Sequence, residues 1–185
     1  MVKLKVYSQA FFELALEKNK VDDYMDEAQI IIDALKQNPD FFKVFVHPDM
    51  SETKKLQLLS DVFAKRVSDD FIGLFNIVVM KRRESFLLGI LESFIKLGLA
   101  HKNKTVAKVI TPIMLDNTQQ EKIKKKLNAM LGKEIILEVV LKPELISGFK
   151  IIADGAIIDT SFKKQMDDMR VAMYNNLAKE AVHGS

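Results

Sequence analysis

The sequence predicts an α+β chain. An N-terminal six-helix bundle spans residues 1–104, and a small α+β domain with a short sheet and flanking helices spans 105–185. Three observations carry this. The first glycine is Gly73, so the opening stretch is poor in tight turns and reads as long helices. Apolar residues there recur with helical spacing. After Lys104 the pattern changes to period-2 alternation and an Asp-Gly pair, the marks of strands and a hairpin.

In the first helix Tyr7, Ala10, Phe11, Leu14 and Ala15 share one face, and Phe12 and Leu16 add apolar surface elsewhere. Tyr24, Ala28, Ile31, Ile32 and Leu35 do the same for a second helix, and Lys18-Asn19-Lys20 separates the two. Asn38-Pro39 predicts a third start: asparagine can cap, and proline fits the first helical position because no N–H bond is lost there. Pro48 ends that helix. Asp49 with Glu52 resembles a capping box for the fourth. Ser68 followed by Asp69 and Asp70 predicts a fifth helix to about Lys81, with acids suited to its dipole. Phe71, Ile72, Leu74, Phe75, Ile77, Val78 and Val79 cover most of its circumference, so it is either buried on most sides or used as a binding surface. Arg82-Arg83-Glu84 stop the run. A sixth helix carries Leu87, Ile90, Leu91 and Phe94 on one stripe, and His101 to Lys104 reads as a linker.

Thr105–Thr111, rich in β-branched residues and limited by Pro112, predicts a strand. Lys122–Leu131 predicts a helix with Ile123, Leu127 and Met130 inward, stopped by Gly132. Ile135, Leu137, Val139 and Leu141 alternate as in a strand. Phe149–Ala153 and Ala156–Ile158 flank Asp154-Gly155, a strong hairpin signal. A last helix is predicted from Ser161, with Phe162, Met166, Met169 and Met173 on one face. A unit of this size is marginal in independent stability and is expected to gain from a partner.

Composition narrows the function. Of 185 residues, 48% are hydrophobic and 29% charged, enough for a buried core and a solvated surface. The absence of cysteine excludes disulfides, thiolate metal sites and a cysteine nucleophile. A net charge of +3 does not predict phosphate-driven nucleic-acid binding. No uninterrupted apolar run approaches the roughly 18 residues of a membrane span. The N-terminus has no continuous apolar core of a signal peptide, so the chain is expected to stay in the cytoplasm. His47, His101 and His183 have no metal-ligand spacing, and no phosphate loop or nucleophile elbow occurs. No cofactor is expected. Asp22-Asp23 and Asp69-Asp70 sit at helix starts, where they complement the dipole; adjacent acids point roughly 100° apart and do not share a site. Lys122, Lys124, Lys125 and Lys126 read as a solvated helix face, without interleaved aromatics to stack on bases. Three classes remain at this level: a helical adaptor, a weak nucleic-acid binder using the lysine helix, and a hydrolase, which the missing motifs disfavour.

Several motifs add to this reading. Lys142-Pro143-Glu144-Leu145-Ile146-Ser147-Gly148-Phe149-Lys150-Ile151, followed by Asp159-Thr160-Ser161, resembles the C-terminal signature of the delta subunit of F-type ATP synthase, whose mitochondrial counterpart is the oligomycin-sensitivity-conferring protein. Ser147 replaces a glycine, Ile152 a basic or polar residue, and Asp154-Gly155 a Gly-Asp pair. Tyr7-Ser8-Gln9-Ala10-Phe11-Phe12 resembles the family's opening. Pro48 with Lys55 and Leu59 resembles the approach to its fourth helix, and Leu74, Ile77 and Arg83 resemble a later stretch in which Lys81 stands for asparagine and Arg82 for a small residue. The order and spacing of these motifs span nearly the whole chain.

The resemblance implies a non-catalytic stator subunit linking the catalytic head to the peripheral stalk during proton-driven ATP synthesis. It implies that residues 1–104 bind N-terminal helices of α subunits in a groove between the first and fifth helices, and that residues 105–185 bind the C-terminal region of b subunits. Tyr7, Ala10 and Ile77 are the expected α-subunit contacts, with Phe11, Leu14, Leu74 and Val78 added from the same faces. The implied location is peripheral, at the cytoplasmic face of the bacterial inner membrane, held there through the complex. No nucleic acid is implied.

Overall fold

In the computed structural model, which describes residues 2–144, 148–153 and 155–159, the chain divides into two units, Met1–Lys102 and Asn103–Ser185. The first holds α1 (Val2–Glu17), α2 (Val21–Gln37), α3 (Pro39–Phe45), α4 (Glu52–Phe63), α5 (Asp69–Met80), a 3-10 turn (Glu84–Phe86) and α6 (Leu87–His101). The second holds β1 (Lys104–Thr111), α7 (Asn117–Leu131), β2 (Glu134–Leu141), β3 (Lys150–Ala153) and β4 (Ala156–Asp159).

Short polar turns separate the helices of the first unit. Asn19 takes φ +55°, a left-handed conformation that asparagine tolerates, and so ends α1. α6 packs against both α1 and α2. Its predicted stripe, Leu87, Ile90, Leu91 and Phe94, is buried, as is the predicted face of α2. Phe11 lies at the centre, with ring centroids 4.7 Å from Phe71, 5.2 Å from Phe94 and 5.6 Å from Tyr24. These four rings come from α1, α5, α6 and α2, so one aromatic cluster joins most of the unit. At Gly98 an added Cβ would lie 2.4 Å from the Met25 sulfur, so its missing side chain lets α2 and α6 approach.

The sheet order is β2-β1-β3-β4. β1 and β2 are parallel, and α7 is the crossover such a pair requires. β1–β3 and β3–β4 are antiparallel. Ala107, Val109, Ile135, Ile151 and Ala153 are buried with Leu127 of α7 in one cluster. On the other face, Lys104 meets Glu134 at 3.1 Å and Lys108 meets Glu138 at 3.2 Å, each pair directly opposite in the register. Ala153 pairs with Ala156 across a two-residue turn in which Gly155 has φ +82°, which suits glycine.

Several local expectations are corrected. Asn38 does not cap α3; its side-chain amide donates to the Ala34 carbonyl and closes the end of α2 instead. The cap of α4 is Ser51, which accepts from the Lys54 N–H, not Asp49. Ser68 does not accept a cap bond; its N–H and hydroxyl both donate to the Glu27 carboxylate. α7 begins five positions before Lys122, because Asp116 and Gln119 form a reciprocal capping box. Met130 is 67% exposed rather than inward, since Leu131 takes the inner position on the last turn of α7. α5, by contrast, is buried on most sides as expected, with Ile77 and Met80 facing solvent. The last helix predicted from Ser161, Leu145-Ile146-Ser147 and Asp154 lie outside the described residues.

Candidate functional site

α1 and α5 are fastened to each other at both ends and run antiparallel. At one end Arg83, just beyond α5, donates from Nη1 to the Tyr7 hydroxyl at 2.7 Å, and its guanidinium carbon lies 5.1 Å from the Tyr7 ring centroid. At the other end Lys18 donates to both carboxylate oxygens of Asp70 at 2.7 Å, and the Tyr24 hydroxyl donates to the same carboxylate. Phe11 packs edge-on against Phe71 between these two fastenings.

The ionisable groups respond to this arrangement. Burial, reinforced by the hydrogen bond and the charge of Asp70, pushes the Tyr24 phenol up to about 12. The Lys18 hydrogen bond, followed by that of Tyr24, holds the Asp70 carboxyl below its ordinary value.

Helical geometry then sets which side chains border the α1/α5 seam. At 100° per residue, Tyr7 and Phe11, continued by Lys18 just past the helix end, form the line of α1 that faces α5. Ser8, Phe12 and Ala15 lie to the core side of that line, where the Ser8 hydroxyl meets that of Ser93 at 2.9 Å. Leu14, Ala10 and Val6 lie to the solvent side. On α5, Asp70 and Leu74 face α1, with Ile77, Gly73 and Met80 following outward.

The expected contact residues therefore separate into two groups. Phe11, Leu74 and Val78 are buried in the core, so they form the floor of the seam and not its surface. Tyr7 and Leu14 are half-buried against that core. Ala10 is exposed, and Ile77 is 50% exposed. Sequence reasoning missed Val6 and Met80, both well exposed, and half-buried Gly73. The signal was present: Val6, Ala10 and Leu14 are spaced i, i+4, i+8, and Gly73, Ile77 and Met80 are spaced i, i+4, i+7. Arg83 entered only as a motif residue, and its contact with Tyr7 joins positions 76 residues apart.

What results is an apolar strip with a small residue, Ala10, near its middle and charged groups at its ends. Such a strip suits an amphipathic helix laid in by its own apolar stripe. Among the described residues no group of three or more His, Asp or Glu can hold a metal ion. Among the described residues no helix is long and apolar enough to cross a membrane. On α7, Lys122, Lys125 and Lys126 are exposed along a solvated face.

The family model described as ATP synthase delta (OSCP) subunit matches residues 4–173. The chain is 32% identical over 160 residues to ATP synthase subunit delta of Desulforamulus reducens, covering 86% of this chain and 88% of that protein. It is 28% identical over 167 residues to the subunit of the same name from Clostridium kluyveri, covering 90% and 92%. Its fold is similar to that of a chain in the cryo-EM structure of the Toxoplasma gondii mitochondrial ATP synthase hexamer, with a TM-score of 0.78, 16% identity, and coverage of 92% of this chain and 97% of that one.

Proposed function

The chain belongs to the ATP synthase delta (OSCP) subunit family, and from that premise we propose how it does its work. It is a non-catalytic stator subunit of an F-type ATP synthase. The stator's task is mechanical: rotation exerts torque on the catalytic head, and the head must be kept from turning with the shaft.

In this reading residues 1–104 act as a six-helix bundle on the head. The α1/α5 seam takes the N-terminal helices of α subunits, with Tyr7, Ala10, Leu14 and Ile77 in contact over a floor of Phe11, Leu74 and Val78. Residues 105–185 hold the C-terminal region of b subunits. The chain then lies peripherally at the cytoplasmic face of the bacterial inner membrane, held there through the complex.

The observation that carries this reading is the exposure of Ala10 and Ile77 on the solvent side of a seam whose floor is core. A tether needs slow dissociation more than fast association, and apolar helix-in-groove burial supplies it. The test is a pull-down from solubilised membranes, scored for α, β and b subunits. Recovery of all three with the unaltered chain, and loss of α and β but not b with Ala10→Asp, is the expected result. Capture of none of them by the unaltered chain overturns the reading.

A further inference from the structure

We propose that the outer edge of β2 is a self-complementary pairing surface, by which two copies of the chain join antiparallel, β2 to β2, with Val139 opposite Val139 on the two-fold axis. This surface belongs to the second unit and does not depend on the reading of the α1/α5 seam.

β2 is one outer strand of the sheet, and β4 is the other. β4 has four residues, and shortness is one way in which an edge is blunted. β2 has eight residues, pairs with β1 through all of them without a bulge, and contains no proline or lysine. Its acids, Glu134 and Glu138, are neutralised by Lys104 and Lys108 at 3.1 and 3.2 Å. The devices that commonly guard an exposed edge are therefore missing from this one.

Alternation along the strand fixes which main-chain groups are open. The Glu134 N–H donates to the Asn103 carbonyl at 2.9 Å, and the Lys142 N–H donates to the Thr111 carbonyl at 2.8 Å. Even-numbered residues of β2 thus turn their main-chain groups to β1, and odd-numbered residues turn theirs outward. The Ile135 N–H points outward accordingly and donates to Asn128 Oδ1 of α7 at 3.0 Å, which closes the start of the edge. Among the described residues nothing closes the N–H and C=O groups of Leu137, Val139 and Leu141. The next outward position is Pro143, which has no N–H. The open stretch is therefore symmetric about Val139.

Two-fold antiparallel pairing uses that symmetry. Leu137 of each copy faces Leu141 of the other, and Val139 faces itself. Each such pair exchanges two bonds, about six in all. Ile135 falls opposite Pro143, so the positions without a free N–H meet each other and the pairing stops where the edge stops. On the face away from α7, Glu138 falls opposite Val140 and Ile136 opposite Lys142. Glu138 of one copy and Lys142 of the other are then diagonal neighbours of opposite charge, and within the strand no like charges stand directly opposed.

The test uses the full-length chain alone. In sedimentation equilibrium its weight-average mass is expected to climb from one chain toward two as concentration rises. Val139→Pro removes an outward donor and no bond to β1, so it is expected to stay at the mass of one chain throughout. In hydrogen exchange of the unaltered chain, the amides of Leu137, Val139 and Leu141 are expected to slow as concentration rises, while those of Ile136, Glu138 and Val140 are slow at every concentration. This second measurement decides alone if Val139→Pro does not fold. Cross-linking reads the register, because the chain has no cysteine of its own. Under mild oxidation Val139→Cys is expected to give a covalent dimer and Leu137→Cys very little, since position 137 faces position 141. The mass of one chain at every concentration, with no slowing of the three outward amides, overturns the proposal. So does a dimer that a folded Val139→Pro leaves intact, or one that Leu137→Cys cross-links in preference to Val139→Cys.

Discussion

The Asp70 carboxylate of α5 accepts the Tyr24 hydroxyl of α2, and Lys18, just past the end of α1, donates to the same carboxylate. One side chain thus ties three helices together at the end of the seam opposite Arg83. Asp70 reads in sequence as a dipole-complementing acid, and it keeps that position in the first turn.

This cluster makes stability depend on pH at both extremes. The folded-state pKa of Asp70 is lowered, so the unfolded chain binds more protons as pH falls through the ordinary carboxylate value of about 3.9. Its stabilisation is complete above that value and lost below it. Tyr24 has the opposite sign: raised from 10.0 to about 12, its contribution is complete below 10.0 and lost as pH rises through about 12. Denaturant midpoints measured across pH are expected to fall at both ends. Asp70→Asn should flatten the acid limb and cost about 1–2 kcal/mol near neutrality.

Ala10→Asp places a carboxylate on the exposed strip without disturbing the core. It is expected to leave the thermal midpoint nearly unchanged and to weaken binding to isolated heads by about 2 kcal/mol or more, because the charge must be desolvated when the groove fills. Titration of labelled variant with heads measures this. Unchanged affinity would remove Ala10 from the contact.

The Lys55–Glu84 pair is the most deeply buried ion pair among the described residues, with side chains 6% and 9% exposed and 2.7 Å between Nζ and Oε1. It joins α4 to the 3-10 turn. Glu84→Gln leaves a buried ammonium without its counter-charge and is expected to cost about 3–5 kcal/mol in a urea melt. A double replacement, Lys55→Met with Glu84→Leu, should recover most of that loss, since a well-packed apolar pair avoids the desolvation of both charges.

Arg82 sits at φ +52° after α5, a left-handed conformation unfavourable for a residue with a Cβ. Arg82→Gly is expected to raise stability by up to about 1 kcal/mol, and Arg82→Val to lower it by more than that. The loss of a 3.8 Å contact with Glu52, both side chains being more than half exposed, changes little. Differential scanning calorimetry of the two variants distinguishes these signs.

The parts legible in sequence were those set by local pattern. The stripes of α2 and α6 repeat over several turns, and each of their predicted residues is buried. The period-2 run of β2 and the two-residue turn between β3 and β4 likewise carry their own signals. Caps were less legible because Ser, Asp and Asn compete for neighbouring backbone groups: Asn38 serves the helix before it, and Ser51 prevails over Asp49. The site was legible only as a pair of faces. Whether Phe11 or Ala10 meets solvent depends on which neighbours enclose α1, and Phe71, Phe94 and Tyr24 are 13 to 83 positions away. The Tyr7–Arg83 and Lys55–Glu84 contacts had no local signal at all.

Only Lys102 and Asn103 separate α6 from β1. That strand lies inside the sheet, in register with β2 over all eight of its residues and with β3 on its other side. A pull on Lys104 directed along the strand axis would load the cross-links on both sides in shear simultaneously. Tugged along that line, the joint between β1 and its neighbours yields like a glued lap, not like a zip.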